Sequence, residues 1–261
     1  MKKSLLSIVA ATTLFTSVAS ADFLGLEIGA AGWSPEMTGK FQYSGTNMDL
    51  KDNLGYGDTE SASYMWLSFE HPVPVIPNVK IIQTNLEMDA SKTSAIDLTF
   101  AGQTYTTSES VASGMTLNQT DYILYYEFSE GLIIPFVHLD AGFAIKDLEG
   151  TLYLNSTTIG KSEKDFSVPV PMGYVKVKLS TSAIPFIPFL PDIEYETLFL
   201  SIGDNSFEDT KIGIVYNFEL AAGFDAGLVA GLREETLEVD EAGVKANVEI
   251  SGYYYGAYFN W

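Results

Sequence analysis

The sequence predicts an all-β protein: a single-chain antiparallel transmembrane β-barrel of about ten strands, behind an N-terminal signal peptide. Three observations carry this. Apolar and polar residues alternate with period two over nearly all of the chain after residue 21, and helical periodicity is almost absent. The connections between these runs are by turns short and long, as a meander of hairpins requires. The chain ends SGYYYGAYFNW, where Tyr253, Tyr255, Ala257, Phe259 and Trp261 share one face. A free C-terminus is usually frayed and polar. A terminal tryptophan in register with a stripe of rings therefore marks the last strand as a fixed wall, with one face turned to an apolar medium.

Residues 1–21 read MKKSLLSIVAATTLFTSVASA. Lys2 and Lys3 precede an apolar run from Leu5 to about Val18, which closes on Ala19-Ser20-Ala21. Small residues at Ala19 and Ala21 form the cleavage pattern of a secretory signal. The run is too short and too rich in Ser and Thr to be a membrane-spanning helix. Residues 22–261 are then one barrel domain. There are no cysteines, so an exported domain must hold together without disulfides. With 34 acidic against 14 basic residues, a net charge of −20 excludes a general nucleic-acid binder. A content of 46% hydrophobic and 13% aromatic residues excludes a disordered acidic chain.

The strands follow in order. The first, about 23–33, sets Leu24, Leu26, Ile28 and Ala30 against Gly25, Glu27, Gly29 and Trp33. The second, about 62–70, sets Met65, Leu67 and Phe69 against Tyr64, Trp66, Ser68 and Glu70. The third, about 79–89, sets Ile82, Leu86 and Met88 on the apolar face against Gln83, Asn85, Glu87 and Asp89. The fourth, about 117–128, sets Tyr122, Leu124, Tyr126 and Phe128 against Asp121, Tyr125 and Glu127. The fifth, about 136–146, sets Val137, Leu139, Ala141, Phe143 and Ile145 against His138, Asp140, Gly142 and Lys146. The sixth, about 173–183, sets Val175, Val177 and Leu179 against Lys176, Lys178 and Ser180. The seventh, about 193–202, is ambiguous, because Leu198, Leu200 and Ile202 share a face with Glu194 and Glu196. The eighth, about 211–220, sets Ile212, Ile214, Tyr216 and Phe218 against Gly213, Asn217 and Glu219. The ninth, about 223–233, sets Phe224, Ala226, Leu228 and Leu232 against Asp225, Gly227, Gly231 and Arg233. The tenth is the tail.

Short connections fall at 71–78, 129–135, 184–191 and about 220–223. Long polar ones fall at about 34–61, 90–116, 147–172 and 234–247, with a shorter acidic one at 203–210. An even strand number puts the short turns and both termini at one end, the periplasmic end of an outer-membrane barrel.

Alternation alone fits two architectures. A lipocalin-like barrel turns its apolar stripe inward; a membrane barrel turns it to lipid. Three features select the membrane. Gly25, Gly29, Gly142, Gly213, Gly227 and Gly231 interleave with charged residues, leaving room for ionic side chains in a narrow lumen. Phe69, Phe128, Phe136, Phe218, Phe224, Phe259 and Trp261 stand beside the short turns, where an aromatic girdle belongs. The closing Trp261 suits a chain end pinned at the interface.

The tail, with Tyr253, Tyr255 and Phe259 ahead of Trp261, resembles the C-terminal signal read by the barrel-assembly machinery of Gram-negative outer membranes. Further motifs resemble one small, functionally uncharacterised family of Gram-negative outer-membrane β-barrels. They are Glu70 to Asn78 (EHPVPVIPN), Leu124-Tyr125-Tyr126-Glu127, Leu139-Asp140-Ala141-Gly142, Pro171-Met172-Gly173-Tyr174, Gly231-Leu232-Arg233 and Gly252-Tyr253-Tyr254. The resemblance covers most of residues 22–261, in order, and its most specific piece is the HPVPVIPN turn. It implies an outer-membrane location and supplies no catalytic residues. The family usually ends in Phe and usually has Tyr where Leu232 stands.

The two histidines, His71 and His138, both fall near the short-turn end. No Ser/His/Asp set can be assembled where substrate would arrive, so the sequence predicts no enzyme. The acidic connections lack the fixed spacing of a calcium loop, and neither a metal nor a cofactor is expected. The expected partners are the lipid bilayer, lipopolysaccharide and the assembly machinery, around a monomer. By register, Glu27, Glu127, His138, Asp140, Glu219 and Asp225 point into the periplasmic half of the lumen, with Lys176 and Lys178 near mid-height and Arg233 near the outer end. Barrels of about eight strands are filled by their own side chains, and open porins need about sixteen. The sequence therefore favours a structural or surface-interaction barrel with a filled lumen. The alternative is a narrow channel or carrier for small cationic or polar solutes.

Overall fold

The computed structural model describes residues 24–261, except 44–45, 74, 94–96, 107, 129–135, 182–189, 222 and 242–243. The expected signal segment, residues 1–21, lies outside the described residues. Thirteen strands occur in order: β1 (Gly25–Tyr43), β2 (Thr46–Asp49), β3 (Ala62–Glu70), β4 (Asn78–Thr93), β5 (Leu98–Phe100), β6 (Gln103–Tyr105), β7 (Ser110–Glu127), β8 (Val137–Ser156), β9 (Gly160–Leu179), β10 (Asp192–Ile202), β11 (Asn205–Ala221), β12 (Phe224–Glu241) and β13 (Val244–Asn260). Ten of them pair as sequential antiparallel neighbours in the order β1, β3, β4 and β7 to β13, and β13 pairs back to β1. The sheet closes into a transmembrane β-barrel without a free edge around its belt, as hydrocarbon demands.

Trp261 and Leu26 exchange both backbone hydrogen bonds, at 2.8 and 3.0 Å. The last residue therefore completes the ladder between β13 and β1. On the outer surface Phe259 lies opposite Ile28 and Ala226, and Ala226 lies opposite Phe218. Phe259, Phe218, Phe69, Phe128 and Phe224 are all exposed and form an aromatic row at the end where β1 begins and β13 ends, called here the near end.

Toward the far end the exposed belt continues through Leu67, Leu124, Phe143, Ile214, Leu228 and Tyr255; Phe143 is 78% exposed. An apolar face this continuous is stable only against lipid. The belt stops where Gln83, Thr120, Asp147, Thr210 and Glu234 take over the outward positions. The strands do not stop there. β4 has 16 residues, and β8 and β9 have 20 each, about twice the 9–11 that cross a bilayer. The stretches expected as long polar loops are thus largely strand. The connection expected at 147–172 is the outer part of the β8–β9 hairpin, and that at 234–247 is the outer part of β12–β13.

This extension overturns the expected facing of the third strand. Ile82, Leu86 and Met88 point into the barrel and are 1–3% exposed, while Gln83, Asn85, Glu87 and Asp89 point out. Only Val79 and Ile81 of β4 belong to the belt, beside Phe69 and Leu67 of β3. Above the belt the outside is water and the inside is sealed, so the apolar stripe belongs inward there. The ambiguous seventh strand resolves the same way: Glu194, Glu196 and Leu198 all face inward on β10.

Candidate functional site

The inward stripes converge on a charged plug, level with the far edge of the belt. Arg233 lies at its centre and is 0% exposed. Its Nε and Nη2 donate to the two oxygens of Asp209 at 3.0 and 2.8 Å, a bidentate pair. Nη2 also donates to Glu235 at 2.7 Å, and Nη1 to Thr84 on the opposite wall at 3.0 Å. The guanidinium carbon lies 4.7 Å from the ring centre of Trp33 and 5.1 Å from that of Tyr64. Lys146, also 0% exposed, reaches Asp121 and Asp209 at 2.8 Å each and donates to Gln119 Oε1 at 2.9 Å. Gln119 Nε2 then donates to Glu235 at 2.7 Å. Arg233, Asp209, Lys146, Gln119 and Glu235 thus form a closed ring of hydrogen bonds that ties β7, β8, β11 and β12 together across the lumen. Fully satisfied rings of this kind rigidify an interior, because each member's partners are already oriented.

A second layer fills the lumen toward the near end. Lys80 donates to both oxygens of Glu196, at 2.8 and 2.9 Å, and Lys211 lies 3.4 Å from the same carboxylate. Lys176 pairs with Glu194 at 3.1 Å and Lys178 with Asp192 at 3.4 Å. Glu27 accepts from the Trp66 indole at 2.6 Å. The tyrosine Tyr258 donates to Asn217, which also donates to Asp192. Between these groups a polar cavity of about 60 Å³ remains.

Two of the inward glycines, Gly29 and Gly227, have a different use from the one expected. A Cβ on Gly29 would stand 2.1 Å from the Trp66 ring, and one on Gly227 would stand 2.3 Å from Tyr258. Gly29 and Gly227 make room for flat-lying rings, whereas Gly25 adjoins the Glu70 carboxylate, 3.3 Å from where a Cβ would stand.

Of the lumen residues named from the sequence, Glu27, Lys176 and Lys178 line the 60 Å³ cavity together. Asp140 lies opposite Glu127 on β7 and Lys176 on β9, and His138 lies opposite Lys178. Glu219 and Asp225 lie opposite each other at the exposed near rim. Tyr253, Tyr255 and Phe259 face outward, and Trp261 holds the seam. Sequence reasoning missed Lys80, Glu196, Asp209, Lys211 and Glu235 as members of a network. Arg233, Lys146 and Asp121 lie on inward stripes, but partners such as Asp209, 24 residues from Arg233, and Thr84, 149 residues from it, leave no mark in a one-dimensional pattern.

Beyond the plug the barrel interior turns apolar. A cavity of about 280 Å³ is walled by Met115, Leu117, Leu148, Phe166 and Ile250, with Phe207 and Glu235 on the plug side. Two segments inserted into the meander line its far side. One is a π-helical turn, Leu50–Leu54, capped by Asp49, whose Oδ1 accepts from the Lys51 and Asp52 amides, and by Gly55 in the left-handed region at φ 90°. The other is the β5–β6 hairpin, which contributes Phe100 and is pinned where Tyr105 donates to the Leu154 carbonyl at 3.0 Å. On the outer wall Tyr153 donates to Asp89 at 2.7 Å, and that bond pushes its phenol up to about 12.

Fold and interior together define an outer-membrane type of β-barrel: apolar outside at the belt, ion-paired inside. No family model matches the sequence, and no curated protein matches it. Among solved structures the chain is similar to the outer membrane protease OmpT from Escherichia coli, at 9% identity and a TM-score of 0.43, covering 93% of this chain and 97% of that one. It is similar to the translocator domain of the autotransporter NalP from Neisseria meningitidis, at 11% identity and a TM-score of 0.38, covering 97% and 95%. It is also similar to Ail, the attachment invasion locus protein of Yersinia pestis, at 8% identity and a TM-score of 0.37, covering 91% and 99%.

Proposed function

We propose that this chain is an integral barrel of a Gram-negative outer membrane, exported by a cleaved leader, with its near end in the periplasm. Its role is structural or in surface interaction, and it is neither a catalyst nor a conduit. The observation that carries the reading is the closed ring around Arg233 and Lys146, backed by the Lys80–Glu196–Lys211 layer. Arg233 and Lys146 are each matched by carboxylates at hydrogen-bond distance, and Lys80 and Lys211 share Glu196. The polar cavity left between these groups is small, about 60 Å³, and the Arg233 ring closes the lumen on its far side. The long outer hairpins, acidic on their outer faces at Glu87, Asp89, Glu149 and Glu234, stand where lipopolysaccharide and its bound cations would meet them. The chain works as a monomer once the assembly machinery has inserted it.

Planar-bilayer recording on the folded protein tests this. The expected result is no steady current at moderate voltage. A steady, cation-selective current would overturn the closed lumen and establish the channel reading.

A further inference from the structure

We propose that the apolar cup beyond the plug is a binding site for a neutral, apolar small molecule, reached through a notch in the barrel wall above the β10–β11 hairpin. The notch follows from strand lengths. Among the described residues the β9–β10 ladder ends where Gly173 meets Phe199, and β10 stops three residues later at Ile202. β9 runs on from Gly173 back to Gly160, paired on its β8 side alone. That unpaired edge holds Pro169 and Pro171, residues that lack an N–H to offer a neighbour and are confined to strand edges. Both sides of the gap are apolar and exposed, with Val168 on β9 and Ile202 on β10. Phe166, Phe207 and Leu237, on the strands that flank the gap, all line the cup.

Size and chemistry set the class of ligand. An apolar cavity of roughly 150 Å³ stays dry and binds benzene; this one, at about 280 Å³, suits a two-ring molecule. Its lining offers water few partners, and three flexible methionines, Met37, Met48 and Met115, let it adapt to shape. Glu235 is the one charged side chain on the lining among the described residues, and no cation faces the cup. The cations behind the plug-side wall, Lys146 and Arg233, are held by Asp121, Asp209, Glu235, Gln119 and Thr84. An anionic head group would find no cation on the lining to pair with, so the ligand is neutral. Tyr56 stands on the wall, where burial holds its phenol above the ordinary value and keeps it a hydrogen-bond donor for at most one polar atom.

The test is a titration of N-phenyl-1-naphthylamine, a neutral dye that brightens in apolar surroundings, into the full barrel in lipid nanodiscs and into empty nanodiscs. The expected result is a saturable component of one dye per barrel, displaced by biphenyl and not by dodecanoate. Leu152→Trp and Ala246→Phe, each filling the cup from a different wall, should weaken binding at least tenfold while keeping the heat-sensitive gel mobility of a folded barrel. A signal that follows lipid alone overturns the site. Displacement by dodecanoate as readily as by biphenyl overturns the neutral class. Folded variants that bind like the wild type place the dye elsewhere and overturn the cup. If a variant fails the mobility check, the wild-type titration with its competitors decides alone. Conductance is read separately, so a conducting barrel would sink the preceding proposal without touching this one.

Discussion

Arg233 shows how position, not residue type, sets the weight of a charge. It spans the lumen to Thr84, is chelated by Asp209 and is flanked by two rings. Removing such a buried partner leaves its carboxylates uncompensated, at a cost of about 3–5 kcal/mol. Arg233→Met should therefore lower stability strongly in urea unfolding from lipid vesicles. Lys178 was the more visible lysine in the sequence, yet its contact with Asp192 is 3.4 Å and its side chain is 27% exposed. Lys178→Met should cost less than Arg233→Met in the same assay, because Asp192 keeps the Thr181 amide and Asn217 as donors. Equal losses for the two variants would show that the plug does not rest on the Arg233 ring.

At the level of the strand, the same position parity means opposite things at different heights. Leu67 faces lipid between Ile28 and Ile81, so Leu67→Arg should cost about 2–4 kcal/mol, as charges on a lipid face do. Glu87 faces water on the outer part of β4, and Glu87→Arg should stay within about 0.5 kcal/mol. Gly114 illustrates a finer constraint. It lies on β7 between Asp89 and Tyr153, and a Cβ there would approach both side chains at 2.4 and 2.3 Å. Its missing side chain lets Tyr153 reach Asp89 across β7. The bond needs the protonated phenol, so it is intact below the ordinary tyrosine range and is lost as pH rises toward about 12. In a spectrophotometric titration read as wild type minus Tyr153→Phe, Gly114→Val should bring this phenol back toward 10, its ordinary value. An unmoved titration would show that Asp89 is not what raises it.

Taken whole, the molecule is two barrels on one set of strands: a membrane barrel at the near end and an inside-out continuation in water at the far end. The plug lies at their junction, where the exterior changes from apolar to polar and the interior changes from polar to apolar. Closure rests on the β1–β13 ladder from Glu27–Asn260 to Tyr43–Val244, and the Trp261–Leu26 bonds extend it by one pair at the near end. Changing Phe259 and Trp261 together to Asp should leave unfolded or degraded protein in the periplasm, read by fractionation and by loss of heat-sensitive mobility. Asn260, which faces inward, should tolerate Ser. Normal amounts of folded protein in the membrane after the double change would remove the tail from barrel assembly.

Local chemistry was enough to establish that this chain is β-structured, that ten strands form its wall, and which face of most strands is apolar. Alternation with period two is a property of neighbouring residues, and it survives in the linear string. On β7, β8, β11, β12 and β13 the stripes seen in the sequence are the stripes of the belt and the lumen. What the string does not hold is height. Whether Ile82 or Gln83 faces out depends on whether that level of the wall meets lipid or water, and this is set by where the neighbouring strands place the belt. Nor does it hold partners across the lumen: Lys80 meets Glu196, and Arg233 meets Thr84, only because closure brings opposite walls within side-chain reach. The sequence alone determined the material of the wall. Tertiary closure decided which charges plug the barrel, and it opened an apolar cup above them.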